Sequence, residues 1–516
     1  MFNYYLLFLL AGGILCDKPN FVIILTDDQD VTIGGMTPMK NVRRLIGERG
    51  MTFANSFVTS PICCPSRASL LTGLYVHNHE TRNNTVRGGC YGPKWKQLES
   101  RTFANVLNDA GYRTFYAGKY MNEYGVKDQG ARVPPGWTEW HGLVGNSVYY
   151  NYTISNNGVP THSEDLYLTD IIRDISINFI ENQTHNEPFL MMLAPPAPHQ
   201  PFTPAPRHQG AFRNTTVPRT PHFNIAAEDK HWLLTMPPSP LPNSMLPELN
   251  RAYRSRWESL LAVDEMAADV IAALARSELD NTYVIYTSDN GYHVGQFSQV
   301  YDKRQPYESD IRVPLLIKGP SVKKNVTSAQ PVVNIDLAPT ILKLAGLEVP
   351  AIMDGKAIDV LGNIFFATDR TMLVEYFGEG KDGSVDSRCP WKYDSDHLAV
   401  SLCTQCRIFI SGFLFTYVTR GCPLIQCHPL YDCKCQDSRN NTYACVRRVG
   451  KYLNDKYCEF QDTKDFIEIY DLNADPYELR NIRNETMGAF VTWYHHMLNA
   501  MVSCKGHTCN HPLKTE

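Results

Sequence analysis

The sequence lacks an excess of positive charge, and it lacks long hydrophobic runs after its first residues. Its 49 Lys and Arg residues are outnumbered by 53 Asp and Glu residues, which gives a formal net charge of −4. A chain that binds nucleic acid through its overall charge would be basic, so any affinity for an anionic polymer has to come from a local patch. No later segment has the length and apolarity of a transmembrane helix. We therefore expect no nucleic-acid partner and no membrane-spanning segment.

Cysteine is absent between Cys90 and Cys389, and eleven of the fifteen cysteines come from Cys389 onwards. This clustering predicts a disulfide-stapled C-terminal region in an oxidising compartment. Zinc is the alternative for the closely spaced pairs that begin at Cys403 and Cys433. The N-terminal run MFNYYLLFLLAGGILC has the length of a signal-peptide core. Export favours disulfides over zinc.

Sequons for N-glycosylation also indicate the secretory pathway, because they are spread along the chain. They begin at Asn83, Asn151, Asn182, Asn214, Asn325, Asn440 and Asn484. We expect a signal peptide over residues 1–16, a catalytic domain over 17–365 and a cysteine-rich C-terminal subdomain over 366–516, where the composition shifts to cysteine, tyrosine and charge.

Two apolar runs end in pairs of polar residues. Residues 21–26 read FVIILT and precede Asp27 and Asp28, and residues 283–287 read YVIYT and precede Ser288, Asp289 and Asn290. Such runs are typical of buried central strands. Helical patterns lie between and after them, over residues 39–49, 101–110, 165–181, 249–277, 336–345 and 490–501. Strands that alternate with helices predict an α/β fold whose site lies at the carboxyl ends of the strands.

The run CCPSRASLLTG, residues 63–73, has the pattern of a helix start that binds an anion. Pro65 suits the first turn of a helix, and Gly73 suits its end. Cys63 then lies at the helix N-terminus, where free N–H groups favour an anion, and Arg67 follows one turn later with a planar set of donors. The alternative for Cys63 is half of a disulfide, the usual state of cysteine in a secreted chain.

The same run, as C-x-P-S-R-x-x-x-x-T-G, resembles the signature of the type I sulfatases. The resemblance implies that Cys63 is oxidised by the formylglycine-generating enzyme to formylglycine (3-oxoalanine), whose hydrate attacks the sulfur atom of a sulfate ester. It implies an alkaline-phosphatase-like sandwich, with a large mixed sheet flanked by helices and a smaller disulfide-rich α+β C-terminal subdomain.

The resemblance also implies a metal site. Oxygen-only donors with excess negative charge suit a hard cation. The family pattern assigns one Ca²⁺ per chain to Asp27, Asp28, Asp289 and Asn290, with an oxygen of the formylglycine formed from Cys63. Taken alone, an Asp-Asp pair after a strand is more often a turn or a helix cap.

Further catalytic residues follow from the resemblance. Arg67, Lys119 in AGKY and Lys303 in DKRQPYE would neutralise the sulfate charge, and His199 in PHQP would be the general acid for the leaving oxygen. Without the motif, each lysine would be read as a solvated surface charge and His199 as an ordinary loop histidine. His293 is left open between substrate contact and packing. Many members of the family carry a histidine where this chain has Met121, so the proton acceptor for sulfate release is also open.

Longer runs favour one branch of the family. CCPSRASLLTGLYVHNHETRNNT, AGKYMNEYG, TSDNGYHVGQFS and NNTYACVR are similar to the lysosomal members that remove 6-O-sulfate from N-acetylglucosamine residues of heparan and keratan sulfate. The alternatives are an arylsulfatase or an extracellular endosulfatase-like activity, a metal-dependent phosphatase of the same superfold, and a non-catalytic glycosaminoglycan-binding relative. The resemblance places the chain in the lysosome or outside the cell. It leaves open whether the chain forms a homodimer.

Overall fold

The computed structural model describes residues 18–184, 187–236, 238–362, 369–379, 406–410, 413–417, 437–462 and 464–510. The predicted signal peptide lies outside these residues, and so do Cys403 and Cys433, at which the zinc alternative was placed. In the part of the chain that is described, no helix has the length and apolarity needed to cross a membrane.

The described chain alternates strands and helices through most of its length. The strands are β1 Asn20–Thr26, β2 Met51–Phe57, β3 Arg113–Lys119, β4 Glu139–Leu143, β5 Tyr152–Asn156, β6 Val159–Ser163, β7 Phe189–Ala194, β8 Thr282–Ser288, β9 His293–Val294, β10 Tyr301–Asp302, β11 Leu315–Lys318, β12 Val326–Val333, β13 Arg370–Tyr376, β14 Cys406–Ile410, β15 Phe413–Tyr417, β16 Tyr443–Val449, β17 Asn454–Phe460 and β18 Ile467–Asp471. The α-helices are α1 Lys40–Val42, α2 Cys63–Thr72, α3 Val76–His79, α4 Pro93–Leu98, α5 Phe103–Asp109, α6 Leu168–Glu181, α7 Trp232–Thr235, α8 Leu246–Arg276, α9 Glu308–Ile311, α10 Leu337–Leu344 and α11 Gly488–Val502.

A ten-stranded mixed sheet forms the centre, in the order β12-β2-β11-β8-β1-β7-β3-β4-β5-β6. β8, β1, β7, β3 and β4 are parallel neighbours, so their carboxyl ends meet at one edge. β1 and β8 are wholly buried, as the continuous apolar runs predict. Thr26 pairs with Ser288, which brings the two polar strand ends side by side.

Helices cover both faces of this sheet and enclose two apolar cores. α6 and α8 pack on one face with each other, and α2, α5 and α10 lie on the other. The six helices expected from the sequence are present; the first, over residues 39–49, is a short α-turn that continues as a π-helix to Gly47. The proline-rich stretch of residues 194–246 holds only short helical turns, because proline interrupts longer ones.

A second, antiparallel sheet follows towards the C-terminus, in the order β13-β16-β17-β18. α11 packs on it through buried side chains that include Val491, Met497 and Leu498. Disulfides join Cys445 to Cys458 and Cys504 to Cys509. The prediction of an α/β sandwich with a disulfide-containing C-terminal region is confirmed.

Candidate active site

The carboxyl ends of three strands and the start of α2 meet at one point. β1 is followed by Asp27 and Asp28, β8 by Asp289 and Asn290, and β3 ends at Lys119. All of these side chains are buried. The backbone N–H of Asp28 donates to Asp289 Oδ1 at 3.0 Å, and Asn290 Nδ2 donates to Asp28 Oδ1 at 2.8 Å. The two strand ends predicted from the sequence therefore form one cluster.

Asp28 occupies a strained backbone conformation. Its φ of 69° lies in the left-handed region, which a non-glycine residue adopts only when its surroundings hold it there. Arg256 on α8 supplies part of this support, since its Nη2 donates to the carbonyl of Asp28 at 2.8 Å and to Asp30 Oδ1 at 3.0 Å. Asn290 Nδ2 and Lys303 Nζ donate to the Asp28 carboxylate and so fix its orientation in the cluster.

α2 delivers Cys63 to the cluster. Cys63 is the first residue of the helix, and Gly73 ends it in the left-handed conformation, as the motif predicts. The Sγ atom of Cys63 lies 3.7 Å from Asp27 Oδ1. Cys64, not Cys63, forms the disulfide, with Cys90; among the side chains described, Cys63 is a free and buried cysteine. Burial raises the pKa of its thiol to about 12, so an unmodified Cys63 would be a neutral, weak nucleophile.

Three cationic side chains surround the carboxylates. Lys119 Nζ donates to Asp27 Oδ2 at 2.8 Å, Lys303 Nζ donates to Asp28 Oδ2 at 2.6 Å, and Arg67 Nε donates to Asp289 Oδ2 at 2.8 Å. Both lysines are buried, which rules out the reading of either as a surface charge.

These cations determine the charge state of Asp27, at the end of β1. Burial alone would raise the pKa of Asp27, but the nearby cations, Lys119 foremost, hold it well below its usual range. Asp27 is therefore ionised. Asp289, at the end of β8, behaves differently. Burial raises its pKa to about 7, because the effect of burial is larger than the opposing effect of the Arg67 charge.

The cluster offers ligand atoms for a metal ion and a donor for an anion. Ligand atoms of Asp27, Asp28, Cys63 and His199 all lie within 4.8 Å of one another. Asn290 Oδ1 is buried and has no hydrogen-bond partner in the described structure, so it is available as a metal ligand. Arg67 Nη2 is also buried and lies 3.6 Å from Asp27 Oδ1, too far for a hydrogen bond, so it can still donate to an anion.

His199 lies at the rim of the cluster. Its Nδ1 contacts the carbonyl oxygen of Gln200 at 2.5 Å and its Nε2 lies 3.8 Å from Asp28 Oδ2. A ring whose Nδ1–H is fixed by a carbonyl can take up or release a proton only at Nε2. Burial, assisted by Lys303, lowers the pKa of His199 to about 4.

His293, which the sequence left open, is buried beside the cluster. Asp310 accepts from its Nδ1 at 3.0 Å, and no hydrogen-bond partner of its Nε2 is found among the described residues. Met121 is buried in the apolar core, and it has no group that could accept a proton.

Sequence reasoning missed two residues at the site. Ser147 donates to Asp27 Oδ2 from the loop after β4, and Asn84 accepts from the backbone N–H of Cys64 at 2.9 Å. Ser147 has no local pattern that could have indicated it. Asn84 lies in the run HETRNNT, where only its proximity to the cysteine motif offered a signal.

Comparison with protein families gives one matching model, described as Sulfatase, over residues 19–347. The chain is 45% identical over 509 residues to the N-acetylglucosamine-6-sulfatase of Capra hircus, which covers 96% of this chain and 85% of the relative. It is 44% identical to the human protein of the same name, over 98% of this chain and 90% of the relative.

Solved structures share the fold at lower identity. One, in complex with its substrate D-glucosamine-2-N,6-O-disulfate, has a TM-score of 0.70 and 24% identity and covers 97% of this chain and 100% of that chain. A phosphonate monoester hydrolase from Silicibacter pomeroyi has a TM-score of 0.62 and 17% identity, with coverage of 95% and 96%. The fold is thus common to proteins with different names, and the site residues must distinguish their chemistry.

Proposed function

The chain belongs to the sulfatase family and is a sulfuric ester hydrolase, and we propose that its substrate is the 6-O-sulfate ester of N-acetylglucosamine residues in heparan and keratan sulfate. The observation that carries the proposal is the near-full-length identity to relatives of that name, together with an intact nucleophile, acidic cluster and cationic side chains at the carboxyl ends of the strands. An endosulfatase-like or arylsulfatase activity is the alternative.

The cofactors proposed are formylglycine at position 63 and one Ca²⁺. The hydrated aldehyde would supply one hydroxyl oxygen as the nucleophile and a second hydroxyl whose loss of a proton expels sulfate and restores the aldehyde. A bound Ca²⁺ would supply positive charge for the sulfate oxygens. Asp27, Asp28, Asp289 and Asn290 would hold the ion, since their oxygens suit a hard cation and Asn290 Oδ1 is unpartnered in the described structure.

The remaining side chains bind the sulfate and move protons. Arg67, Lys119 and Lys303 place positive charge around Cys63, where it can bind the anionic sulfate oxygens and stabilise them while the sulfuryl group is transferred. Only Nε2 of His199, which faces the cluster, can exchange a proton, because Nδ1–H is held by the Gln200 carbonyl. The lowered pKa of about 4 leaves the ring mostly neutral above that pH, so we assign the protonation of the leaving sugar oxygen to the protonated form of His199.

The proposal extends to the setting of the enzyme. The relatives named N-acetylglucosamine-6-sulfatase, the sequons and the disulfides support passage through the secretory pathway, with modification by the formylglycine-generating enzyme on the way. We propose the lysosome as destination. The boundary between a catalytic domain over 17–365 and a C-terminal subdomain over 366–516 is likewise a proposal.

The first experiment is the mass of the tryptic peptide that contains Cys63, from protein made in cells that install formylglycine. Conversion lowers the mass by about 18 Da, because an aldehyde oxygen replaces sulfur and two hydrogens. The same preparation is assayed on N-acetylglucosamine 6-sulfate at the non-reducing end of a heparan oligosaccharide, with 2-O-sulfated and aryl sulfates for comparison. The Cys63→Ala variant is the control and should be folded and inactive.

The outcomes separate the alternatives. A modified Cys63 with preference for an aryl sulfate or for internal sulfates would retain the sulfatase chemistry and overturn the proposed substrate. An unmodified Cys63 in a protein that still binds heparan sulfate would favour a non-catalytic binding protein. Chelation with EGTA should abolish activity and lower the melting temperature, and Ca²⁺ should restore both, because a ligand bound by the folded state alone stabilises that state.

A further inference from the structure

The outward face of α11 has an unusual composition for a surface helix. Gly488–Val502 contains no Asp, Glu, Lys or Arg, whereas about 25–35% of the surface residues of a well-behaved soluble protein are of these types. Phe490 is 52% exposed, Trp493 is 36% exposed, and Met487, directly before the helix, is 65% exposed. Their spacing of three places them on one side. Contiguous exposed apolar side chains, unlike single ones, indicate a surface that is covered.

Phe490 and Trp493 line one wall of a groove of about 550 Å³. The other wall comes from the second sheet and includes Tyr452, which is 79% exposed, and the polar residues Asn454 and Asp471. Aromatic rings together with amide and carboxylate groups match a sugar, because a pyranose has apolar C–H faces and hydroxyl groups at its edge. The volume suffices for a small ligand.

The charge of the groove argues against a sulfated polymer as its occupant. Arg448 is the only cation among the lining residues, and its Nε donates to Asp455 Oδ1 at 2.7 Å while its guanidinium lies 4.7 Å from the Trp493 ring centroid. Asp471 adds a second carboxylate to the lining. The positive charge is compensated, so the groove suits a neutral carbohydrate.

A sequon begins at the rim of this groove. Ile482 and Thr486 both line it, and they enclose the turn that carries Asn484. The backbone N–H of Thr486 donates to the Ile482 carbonyl at 3.0 Å, and its Oγ1 donates to the same carbonyl at 2.8 Å. Asn484 itself is exposed. The attachment point for a neutral glycan therefore lies between two residues of the groove wall.

We propose that Asn484 carries an N-linked glycan whose first sugars lie in this groove, against Phe490 and Trp493. During attachment, Asn484 Nδ2 forms a bond to C1 of the first sugar of a lipid-pyrophosphate-linked oligosaccharide. The bond between C1 and the pyrophosphate oxygen breaks, the lipid pyrophosphate leaves, and one amide proton is released to solvent. No redox step is involved. The glycan thereby covers an apolar face that the described part of the chain leaves exposed.

The test compares the full-length secreted protein with Asn484→Gln, and with Asn182→Gln as the matched control. Asn182 begins an exposed sequon at the end of α6 and is not among the residues that line the groove. Glycopeptide mass spectrometry gives occupancy, and hydroxyl-radical footprinting gives the oxidation rates of Phe490 and Trp493. We expect Asn484 to be occupied and the two rates to rise several-fold in Asn484→Gln, with no change in Asn182→Gln. Thr486→Val removes the same sequon through another residue and should reproduce the result if Asn484→Gln folds poorly.

Three results would overturn the proposal. One is an empty sequon at Asn484 in the wild-type protein. Another is an occupied sequon whose removal leaves both oxidation rates unchanged, which would mean that the glycan extends into solvent. The third is a dimer in sedimentation that Trp493→Ser dissociates, which would make a second copy of the chain the occupant of this face.

Discussion

Lys119 is a buried ammonium group whose position depends on two strands. It ends β3, and its Nζ reaches the Asp27 carboxylate at the end of β1, although β7 lies between the two strands. The carbonyl of Lys119 accepts from Arg67 Nη1 at 2.7 Å, so the same residue also orients the guanidinium on α2. Its side chain thus contributes charge to the site while its backbone positions a second cation.

We expect Lys119→Met to lower kcat on a 6-sulfated glucosaminide by about 10²–10³-fold, the usual cost of removing one group that stabilises transition-state charge. The backbone contact to Arg67 is retained, so the effect reports on the ammonium. Lys230→Met is the matched control: Lys230 is also buried, but its Nζ donates to the Leu479 carbonyl, remote from Cys63. Equal losses in the two variants would contradict a specific role for Lys119.

Local pattern explains which site residues could be found from the sequence. Asp27, Asp28, Asp289 and Asn290 follow continuous apolar runs, and a buried strand forces the residue after it to the sheet edge. Ser147 reaches Asp27 from a loop 120 positions away in sequence, and no periodicity marks such a contact. The roles of Lys119, His199 and Lys303 depended on the family resemblance.

At the scale of elements, two histidines hold α2 and α3 in place, and their surroundings shift their pKa values in opposite directions. His79 is fully buried and contacts Ser69 Oγ at 2.9 Å through Nε2, and Ser69 also accepts from Thr59 Oγ1 at 2.7 Å. His77 is half-buried, and its ring contacts Glu375 Oε2 and the Cys504 carbonyl, each at 2.9 Å. These contacts connect the helix that carries Cys63 to the second sheet and the C-terminal disulfide.

His77 should stabilise the protein in acid. Burial lowers its pKa, but the hydrogen bond and charge of Glu375, with the Cys504 carbonyl and Asp354, raise it above the ordinary 6.5. A raised pKa gives stability that is complete below 6.5 and is lost as pH rises through the folded-state pKa. We expect the loss of melting temperature in His77→Gln to be larger at about pH 5 than at about pH 8. A pH-independent loss would contradict a charged His77.

His79 should have the opposite pH dependence. Burial lowers its pKa from 6.5 to about 3, so the unfolded state binds an extra proton between these values and stability falls as pH falls. The penalty at about pH 5 is about 2 kcal/mol, which His79→Gln would relieve. Calorimetry should therefore show a larger destabilisation by His79→Gln at about pH 7.5 than at about pH 5, the reverse of His77→Gln. If both variants lost more stability at the same one of the two pH values, the opposite pKa shifts of His77 and His79 would be contradicted.

For the whole molecule, the second sheet is joined to the segment that carries Lys303. Glu308, five residues after Lys303, accepts from Arg447 Nε on β16 at 2.9 Å, and its backbone N–H donates to Glu478 Oε2 at 2.9 Å. Burial would raise the pKa of Glu308, but Arg447, with smaller contributions from Lys456 and Arg312, lowers it to about 2, so the carboxylate is charged. A pair separated by 139 positions could not be predicted from local pattern, which is why the sequence indicated two regions but not their attachment.

Loss of this buried pair should destabilise both sheets together. Arg447→Met leaves the Glu308 carboxylate buried without its main partner, which typically costs about 3–5 kcal/mol. Arg480→Met is the control, because Arg480 is 69% exposed and pairs with Glu485 at the surface, where such a pair contributes about 0–1 kcal/mol. We expect calorimetry of Arg447→Met to show one unfolding transition at lower temperature, and that of Arg480→Met to match the wild type. If Arg447→Met instead produces a separate early transition while hydrolysis of the sulfate ester continues, the C-terminal region unfolds independently and Glu308 does not couple it to the active site.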